Sequence, residues 1–179
     1  QETCVTVTWL KYCYQLLQIT GDQRYAEWIE ISTYNALLGA INTEENKRIN
    51  MVPVFDSYSP LRKGVRGKAT GGLKDIDENT YYGCCIAIGA AGTALSALSS
   101  FGKTENGFCI NMYIPGVIKS TTPKGNEIKL KINTEYPIGD TINIEMKLQQ
   151  PEKFTFNFRV PSYGLGGILH INGKAVKNR

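Results

Sequence analysis

Two adjacent cysteines, Cys84 and Cys85, are the residues of this chain with the clearest capacity for chemistry. A disulfide between them is disfavoured, because Cα atoms across a trans peptide lie about 3.8 Å apart and a disulfide prefers about 5.5 Å. Their partners must therefore lie elsewhere in the fold. A third thiol and a carboxylate, those of Cys4 and Glu2, flank a single threonine near the start of the sequence. These four side chains form a candidate set for one metal centre.

The spacing of the four residues restricts where they can act together. Side chains two residues apart do not face each other on a regular helix, so Glu2 and Cys4 can share a ligand only where the chain enters one. The same condition holds for the cysteine pair, which precedes a helical pattern. Two ligands from each helix entry would complete a tetrahedral zinc site with Zn–S distances of about 2.3 Å. The alternative is that the cysteines pack as small hydrophobes, since no CxxC motif is present.

The first half of the chain has helical periodicity. Apolar residues at spacings of three and four predict a buried stripe on a first helix: Trp9, Tyr12, Cys13, Leu16 and Leu17. This helix should end at Gly21, with Asp22 as the N-cap of a second. The second helix has its own predicted stripe: Tyr25, Trp28, Ile29, Leu37, Leu38 and Ile41. A long irregular connection then leads to a third helix over residues 85–99, whose small residues would allow close backbone approach: Gly89, Ala90, Gly92, Ala94 and Ala97.

The second half alternates with period two, which is typical of half-buried strands. Three such runs are "EIKLKI" (127–132), "TINIEMKL" (141–148) and "KFTFNFRV" (153–160), and Asn172-Gly173 predicts a hairpin turn. The row of Phe154, Phe156 and Phe158 is expected to be core. We therefore predict an α+β chain, with a helical domain, incomplete at three helices, over residues 1–105 and an antiparallel β-sandwich over 106–179.

Composition excludes several classes of protein. With 42% hydrophobic and 20% charged residues, the chain is neither disordered nor fibrous. Its 20 Lys and Arg exceed its 16 Asp and Glu by four, a scattered excess too weak to indicate nucleic acid. No apolar run reaches the roughly 18 residues of a membrane span. The start of the sequence has neither an initiator Met nor a signal-peptide pattern, so we expect a piece of a longer protein.

A longer comparison of motifs identifies a family. The segment "ETCVTVTWLKYCYQLLQITGDQRYAEWIEISTYNALLGAI", followed by "YYGCC", "FCINMYIP" and "FTFNFRVPS", resembles the C-terminal half of the bacterial β-L-arabinofuranosidases of glycoside hydrolase family 127. The resemblance covers nearly the whole chain. It implies helices from an (α/α)6 barrel followed by a β-sandwich. It also implies retaining hydrolysis of β-L-arabinofuranosides with a zinc-bound cysteine as the nucleophile.

The resemblance assigns roles residue by residue. By position, Glu2, Cys4, Cys84 and Cys85 match the four zinc ligands of the family, and Cys84 matches the nucleophile. The general acid of the family is a glutamate shortly upstream of the E-T-C triplet, which lies before the first residue of this sequence. The resemblance therefore implies that these 179 residues alone do not hydrolyse substrate. The cysteine pair is followed by Ile86 and Ala87 where family members often have prolines, so the preferred sugar stays open.

Several neighbouring residues have two readings. Tyr81 and Tyr82 either stack on a sugar ring or pack the loop before the cysteine pair. The acidic run of Asp75, Asp77 and Glu78 favours a solvated face over an alternative acid. Two other cysteines, Cys13 and Cys109, lie in apolar patterns and are predicted to be core, and the single histidine, His170, is predicted to lie on a surface strand.

Two classes of function remain open from the sequence. The first is part of a zinc-thiolate glycoside hydrolase, whose partners would be plant-type oligosaccharides or glycoconjugates that contain L-arabinofuranose. The second is a non-catalytic module, with structural zinc or packed thiols, that supports assembly or weak carbohydrate binding. A thiol oxidoreductase ranks last, because it would need a CxxC motif in a βαβ pattern. Unburied faces of an incomplete helical ring would also invite partners, a second copy of the chain among them. The compartment stays undecided between periplasm, exterior and cytoplasm.

Overall fold

The computed structural model describes residues 2–42, 54–57, 74–75, 81–164 and 167–176. The described helices are α1 (Thr3–Thr20), α2 (Gln23–Ser32) and α3 (Cys84–Ser99), and α2 continues into a π-helical turn (Thr33–Leu37) and a 3-10 turn (Leu38–Ala40). Within these ranges none of the helices combines the length and the apolarity that crossing a bilayer requires.

The described strands divide into short pairs beside the helices and longer strands after α3. The short ones are β1 (Ile41–Asn42), β2 (Val54–Phe55), β3 (Lys74–Asp75) and β4 (Tyr81–Tyr82). The longer ones are β5 (Phe101–Thr104), β6 (Gly107–Ile110), β7 (Gly116–Thr121), β8 (Glu127–Thr134), β9 (Ile142–Leu148) and β10 (Thr155–Phe158). A final hairpin consists of β11 (Leu169–Ile171) and β12 (Lys174–Val176). Helices followed by strands make the chain α+β, as predicted.

The joint between α1 and α2 confirms the prediction from the T-G-D motif. Gly21 has a φ of 66°, in the left-handed region, and its N–H donates to the carbonyl of Leu17 at 2.8 Å. Asp22 caps α2 by accepting from the backbone N–H of Arg24 at 3.0 Å. Glycine suits the end of α1 because it has no Cβ to oppose this backbone conformation.

Helix α1 has two apolar faces, and the predicted stripe was wrong because it combined them. The buried face consists of Val7, Leu10, Cys13 and Leu17. The exposed face consists of Val5, Trp9, Tyr12 and Ile19. At 3.6 residues per turn these faces lie roughly 140° apart around the helix. Spacing of three and four is satisfied within either face, so it cannot tell which one the rest of the fold covers.

The predicted second stripe is only partly correct. Ile29 and Leu37 are buried, whereas Trp28 and Leu38 are exposed to 40% and 37%. The helix changes at Thr33 into a π turn, which takes more residues per turn and so breaks the spacing of an α-helix. Ile41 is not helical at all but lies in β1, paired with Phe55 of β2. The sequence "NMVPVF" (50–55) is a further strand candidate, and only its last two residues, which form β2, fall within the described ones.

The prediction that small residues of α3 allow close packing is confirmed at two glycines but not at the alanines. A Cβ on Gly89 would lie 2.2 Å from Cγ of Phe55, and a Cβ on Gly92 would lie 2.5 Å from Cγ2 of Val7. Contacts this short are not tolerated, so both positions require glycine for this packing. The three alanines predicted with them are exposed: Ala90, Ala94 and Ala97.

The strand region consists mainly of two three-stranded sheets. The order is β7-β8-β9 in one, with antiparallel pairing throughout, and β10-β6-β5 in the other. Phe108 of β6 and Leu130 of β8 are fully buried in one cluster, so the apolar sides of the two sheets share a core. The aromatic row on and directly before β10 packs into this cluster and the adjoining one around Ile110, as predicted: Phe154, Phe156 and Phe158.

One pairing in the strand region contradicts the antiparallel prediction. β10 runs parallel to β6, with Thr155 opposite Gly107 and Phe158 opposite Ile110. The chain between them forms the whole of the other sheet, and such a long crossover permits parallel neighbours, whereas period-two alternation is the same for either direction. The last hairpin is as predicted, since Asn172 and Gly173 have φ values of 50° and 79° between β11 and β12.

A buried polar network joins the helices to the strand region. The Arg159 guanidinium bonds to the carboxylate of Glu30 on α2, and both residues are buried. Arg159 Nε also donates to the carbonyl of Asn111 at 2.5 Å, and the hydroxyl of Tyr113 donates to the carbonyl of Arg159 at 2.6 Å. Burial raises the pKa of Tyr113 to about 12. The hydroxyl of Tyr163 donates to Glu30 as well, so this carboxylate contacts two groups of the strand region.

Candidate metal centre

Three of the four predicted ligands lie together at the entries of two helices. Cys4 is the second residue of α1, and Cys84 and Cys85 are the first two residues of α3. The Sγ atoms of Cys4 and Cys85 are 3.4 Å apart and those of Cys84 and Cys85 are 3.8 Å apart. All three Sγ atoms lie within 4.8 Å of one another. The structure therefore brings together thiols that are 81 residues apart in sequence.

The backbone at each entry explains why neighbouring residues converge. Glu2 and Gly83, the residues before the two helices, are both extended, with φ and ψ of −81° and 137° and of −144° and 93°. The chain turns from extended to helical at these points, and there the Sγ atoms of Cys84 and Cys85 lie 3.8 Å apart although the residues are adjacent. The sequence prediction that the ligands lie at helix entries is consistent with this geometry.

Glu2 is the predicted ligand that the structure does not add to the thiol cluster. It is half-buried and lies directly before α1, but among the described residues the group of mutually close ligand atoms contains only the three Sγ atoms. Its backbone carbonyl accepts from the N–H of Thr6 at 2.9 Å and its side chain does not cap the helix. The carboxylate is therefore not committed to the helix end.

The electrostatics of the cluster disfavour thiolates in the protein alone. Burial, hydrogen bonds from Cys85 and Cys84, and repulsion between the thiolates raise the pKa of Cys4 to about 12. Several thiolates this close are stable only beside a compensating positive charge. The thiol of Cys4 therefore keeps its proton at neutral pH unless a cation replaces it.

The donor set and its dimensions fit a zinc ion. Sulfur ligands favour zinc among the common divalent metals, and a tetrahedral site with Zn–S of about 2.3 Å places its sulfurs about 3.8 Å apart. The measured separations of 3.4 and 3.8 Å agree with that value. Three protein thiols leave a fourth position, which Glu2 is close enough in sequence to supply.

For the other residues discussed from the sequence, the structure describes some side chains and not others. Cys13 is fully buried and confirmed as core, while Cys109 is only partly buried, and its pKa is raised by that burial. His170 lies exposed on β11, opposite Ala175, as predicted. Tyr81 and Tyr82 form β4, which pairs with β3, but their side chains lie outside the described residues. The same holds for the acidic run at residues 75, 77 and 78.

The sequence did not predict the groups that hold α1 at the cluster. The N–H of Thr3 donates to the carbonyl of Ser57 at 2.9 Å, and its hydroxyl donates to the carbonyl of Asp56 at 2.5 Å. Thr3 is 1% exposed, although it is a polar residue beside the predicted ligands. A polar residue between two candidate ligands is the only signal of this anchor, and it does not say where the partner lies.

Comparison with known families places this arrangement among the glycoside hydrolases. Residues 1–96 match the family description "Beta-L-arabinofuranosidase, GH127 catalytic domain", and residues 107–179 match "Beta-L-arabinofuranosidase, GH127 middle domain". The first match alone covers more than half of the chain. The chain therefore belongs to the GH127 β-L-arabinofuranosidase family, which confirms the resemblance noted from its motifs. A search of curated proteins found no match.

Solved structures of this family have the same fold. A GH127 β-L-arabinofuranosidase from Geobacillus stearothermophilus T6 aligns with a TM-score of 0.73 and 18% identity, over 98% of this chain and 27% of that one. A structure described as a glycoside hydrolase aligns with a TM-score of 0.72 and 20% identity, over 98% of this chain and 28% of its own. A third, a GH127 β-arabinofuranosidase, aligns with a TM-score of 0.65 and 19% identity, over 99% and 28%. The chain thus spans little more than a quarter of these relatives.

Proposed function

We propose that the chain is the part of a retaining β-L-arabinofuranosidase that supplies the nucleophile and its zinc ligands. The observation that carries this proposal is the cluster of three thiols formed by two helix entries far apart in sequence. Membership of the GH127 family supports glycoside hydrolysis as the chemistry. In the proposed protein the helices belong to an (α/α)6 barrel up to residue 105, and the two sheets belong to a β-sandwich from residue 106.

Cys84 is the proposed nucleophile. Cys85 is only 1% exposed and so cannot reach a sugar, whereas Cys84 is half-buried, at the first residue of α3. In a retaining hydrolysis its thiolate attacks the anomeric carbon, forming a C–S bond while the C–O bond to the leaving group breaks. Water then displaces the thiolate from the same carbon. Two inversions give net retention.

Cys4, Cys84, Cys85 and Glu2 are the proposed zinc ligands. Zinc bound there would hold the cysteines as thiolates at neutral pH. The roles proposed for the individual cysteines follow from how exposed each one is. The buried Cys85 and its neighbour Cys4 fix the position of the cluster, and Cys84 meets the substrate. A glutamate of the same catalytic domain is proposed as the general acid.

The proposed substrates are plant-type oligosaccharides or glycoconjugates that contain L-arabinofuranose. Tyr81 and Tyr82 precede the nucleophile directly, and we assign them to the sugar subsite, where aromatic rings suit the apolar side of a furanose. Periplasmic or secreted activity would suit such substrates. A homo-oligomer remains a proposal that the exposed aromatic residues of α1 support.

A second candidate function is a purely structural zinc site. It is favoured by the burial of Cys85 and by the position of the cluster, which joins two helices as a staple would. This candidate needs metal binding but no reactive thiol. The two functions therefore differ in the reactivity of Cys84 and agree in zinc content.

Zinc content is the first test. We expect one zinc per chain in the purified, reduced protein by elemental analysis, and its loss in a Cys84→Ser, Cys85→Ser double variant. A Cys13→Ser variant is the matched control, because Cys13 is a buried thiol outside the cluster and should leave the zinc content unchanged. A folded, reduced wild type without zinc would contradict the proposal.

Reactivity separates the two candidates. p-Nitrophenyl β-L-arabinofuranoside has a leaving group that needs no protonation, so it tests the nucleophile without the general acid. We expect intact-protein mass spectrometry to show one added pentosyl group, located at Cys84 by peptide mapping and absent from Cys84→Ser. Zinc binding without any such adduct, in a sample that also contains the rest of the catalytic domain, would favour the structural site.

A further inference from the structure

Residues 55–57, which we call the strap, contact both helix entries that carry the cysteines. The strap follows β2 and is itself fixed to the end of the second helical segment. The N–H of Asp56 donates to the carbonyl of Ala40 at 2.8 Å, and Asn42 Nδ2 donates to Asp56 Oδ2 at 3.3 Å. Pairing of Phe55 with Ile41 continues this attachment. The strap therefore has a position that does not depend on the thiols.

At α1 the strap binds the residue directly before Cys4. Thr3 donates its backbone N–H to Ser57 and its hydroxyl to the backbone of Asp56, so two hydrogen bonds fix this single buried residue. Thr3 and Cys4 are the first two residues of α1, and neighbouring side chains on a helix leave the axis about 100° apart. Thr3 faces the strap, and Cys4 faces the cluster. Because the strap fixes Thr3, it also fixes the direction in which the Cys4 side chain leaves α1.

At α3 the strap contacts a position one turn beyond Cys85. Gly89 is four residues after Cys85, so the two lie on one face of the helix. The side chain of Phe55 packs on Gly89 so closely that a Cβ there would meet its Cγ at 2.2 Å and its Cβ at 2.7 Å. The depth at which α3 rests on the strap thus depends on glycine at this position.

We propose that the strap sets the distance between Cys4 on α1 and the Cys84–Cys85 pair on α3. Thr3 and Gly89 are then positioning residues of the metal centre. This inference rests on the proposed function for its metal. Groups that orient metal ligands from the second layer typically change affinity 10- to 100-fold when removed. Here the second layer is the strap, which contacts α1 through hydrogen bonds to Thr3 and contacts α3 through the ring of Phe55.

Cobalt binding tests the proposal in the 179-residue protein. Co²⁺ affinity is measured from its thiolate absorption bands, at a temperature where each variant is folded by circular dichroism. We expect Thr3→Val and Gly89→Ala each to weaken Co²⁺ binding about 10- to 100-fold, and Thr3→Ser, which keeps the hydroxyl, to bind within about threefold of wild type. Unchanged affinity in Thr3→Val would overturn the proposal.

Two matched variants separate positioning from general loss of stability. Thr33 is also a buried threonine with one side-chain hydrogen bond, to Ser96 at 2.8 Å, so Thr33→Val should lower the melting temperature without changing Co²⁺ affinity. Gly92→Ala crowds Val7 directly, not the strap. If Gly92→Ala weakens binding as much as Gly89→Ala does, helix packing rather than the strap sets the cluster and the inference is wrong.

A metal-free measurement keeps this inference distinct from the proposed function. Diamide oxidises two close thiols to a disulfide and is itself reduced to the hydrazine, taking up both protons. The 3.4 Å separation of the Cys4 and Cys85 Sγ atoms makes them the pair expected to react. We expect peptide mapping of chelator-treated protein to show this disulfide forming at least tenfold more slowly in Thr3→Val than in wild type or Thr33→Val. Equal rates would overturn the role of the strap even if zinc never binds.

Discussion

The helices and the strand region close their cores differently. Strand β8 alternates strictly, with Ile128, Leu130 and Ile132 buried and the residues between them exposed or half-buried. Helix α1 buries one apolar face and leaves another in solvent, with Trp9 40% and Tyr12 53% exposed. The exposed rings also contact one another, since the centroids of Trp9 and Trp28 are 5.5 Å apart. Strand β8 thus has one apolar face and buries it, whereas α1 has a second apolar face that the described residues leave exposed.

The largest expected effect is the loss of the aromatic centre of the strand region. Phe108 is fully buried and stacks on Phe101 with centroids 5.4 Å apart. Phe108→Ala should reduce the free energy of unfolding by about 4 kcal/mol, through lost transfer energy and the cavity left behind. Urea denaturation followed by far-ultraviolet circular dichroism measures this. A loss below about 1 kcal/mol would mean that the sheets do not depend on a shared core.

The second effect concerns the link between the two regions. Arg159→Met leaves the buried Glu30 carboxylate without its cation and should cost about 3 kcal/mol, because an uncompensated buried charge is strongly destabilising. We also expect calorimetry to show one transition for the wild type and two for Arg159→Met, as the regions uncouple. The double variant Glu30→Leu, Arg159→Met should regain most of the loss. No recovery in the double variant would show that packing, not charge, joins the regions.

The third effect is a pH dependence at the same link. Hydrogen bonds from Ser162, and then the charge of Arg159, hold the pKa of Glu27 below its usual 4.5. A folded pKa below the unfolded one gives stability that is present above about pH 4.5 and is lost as pH falls through the lower folded value. Glu27→Gln should therefore destabilise the protein at pH 6 by roughly 1 kcal/mol, which lowers the melting temperature. The difference from wild type should shrink as the pH falls through the lowered pKa of Glu27. A constant difference between the two proteins from pH 6 to pH 3 would count against this assignment.

The smallest effect is expected on the open face of the helices. Trp9→Ala should change the free energy of unfolding by about 1 kcal/mol or less, since the ring keeps much of its exposure in the folded chain. The same change should reduce self-association in sedimentation measurements, because it removes the centre of an exposed aromatic cluster. A destabilisation as large as that of Phe108→Ala would mean that the two regions do not differ in the way described.

The sequence predicted the elements better than their partners. Local signals were sufficient for the Gly21 and Asp22 joint, the Asn172-Gly173 hairpin and the alternating strands, because these depend on residues close in sequence. The buried face of α1, the parallel pairing of β6 and β10, and the contact of Glu30 with Arg159 depend on residues far apart. No periodicity contains that information.

The ligands of the candidate site could be predicted because clustered thiols are uncommon in a sequence, whereas the residues that position them could not. Three thiols and a carboxylate at helix entries follow from residue types and spacing, and the structure joins Cys4, Cys84 and Cys85. That Cys4 and Cys85, which are 81 residues apart, lie together could be known only from the family resemblance or from the structure. The contacts of Thr3 and Gly89 with the strap were out of reach, since threonine and glycine occur in many other contexts.

The pairing of Glu30 with Arg159 has a consequence for the order of events during synthesis. These residues are 129 positions apart, so the helices leave the ribosome long before the arginine that neutralises their buried carboxylate. Until then Glu30 keeps its hydration, and the surface of α2 that receives the strand region stays wet. Contacts of such long separation form late and slow the final step of folding. Docking of the strand region on α2 is therefore expected to be complete only after Arg159, which directly follows β10, has been synthesised.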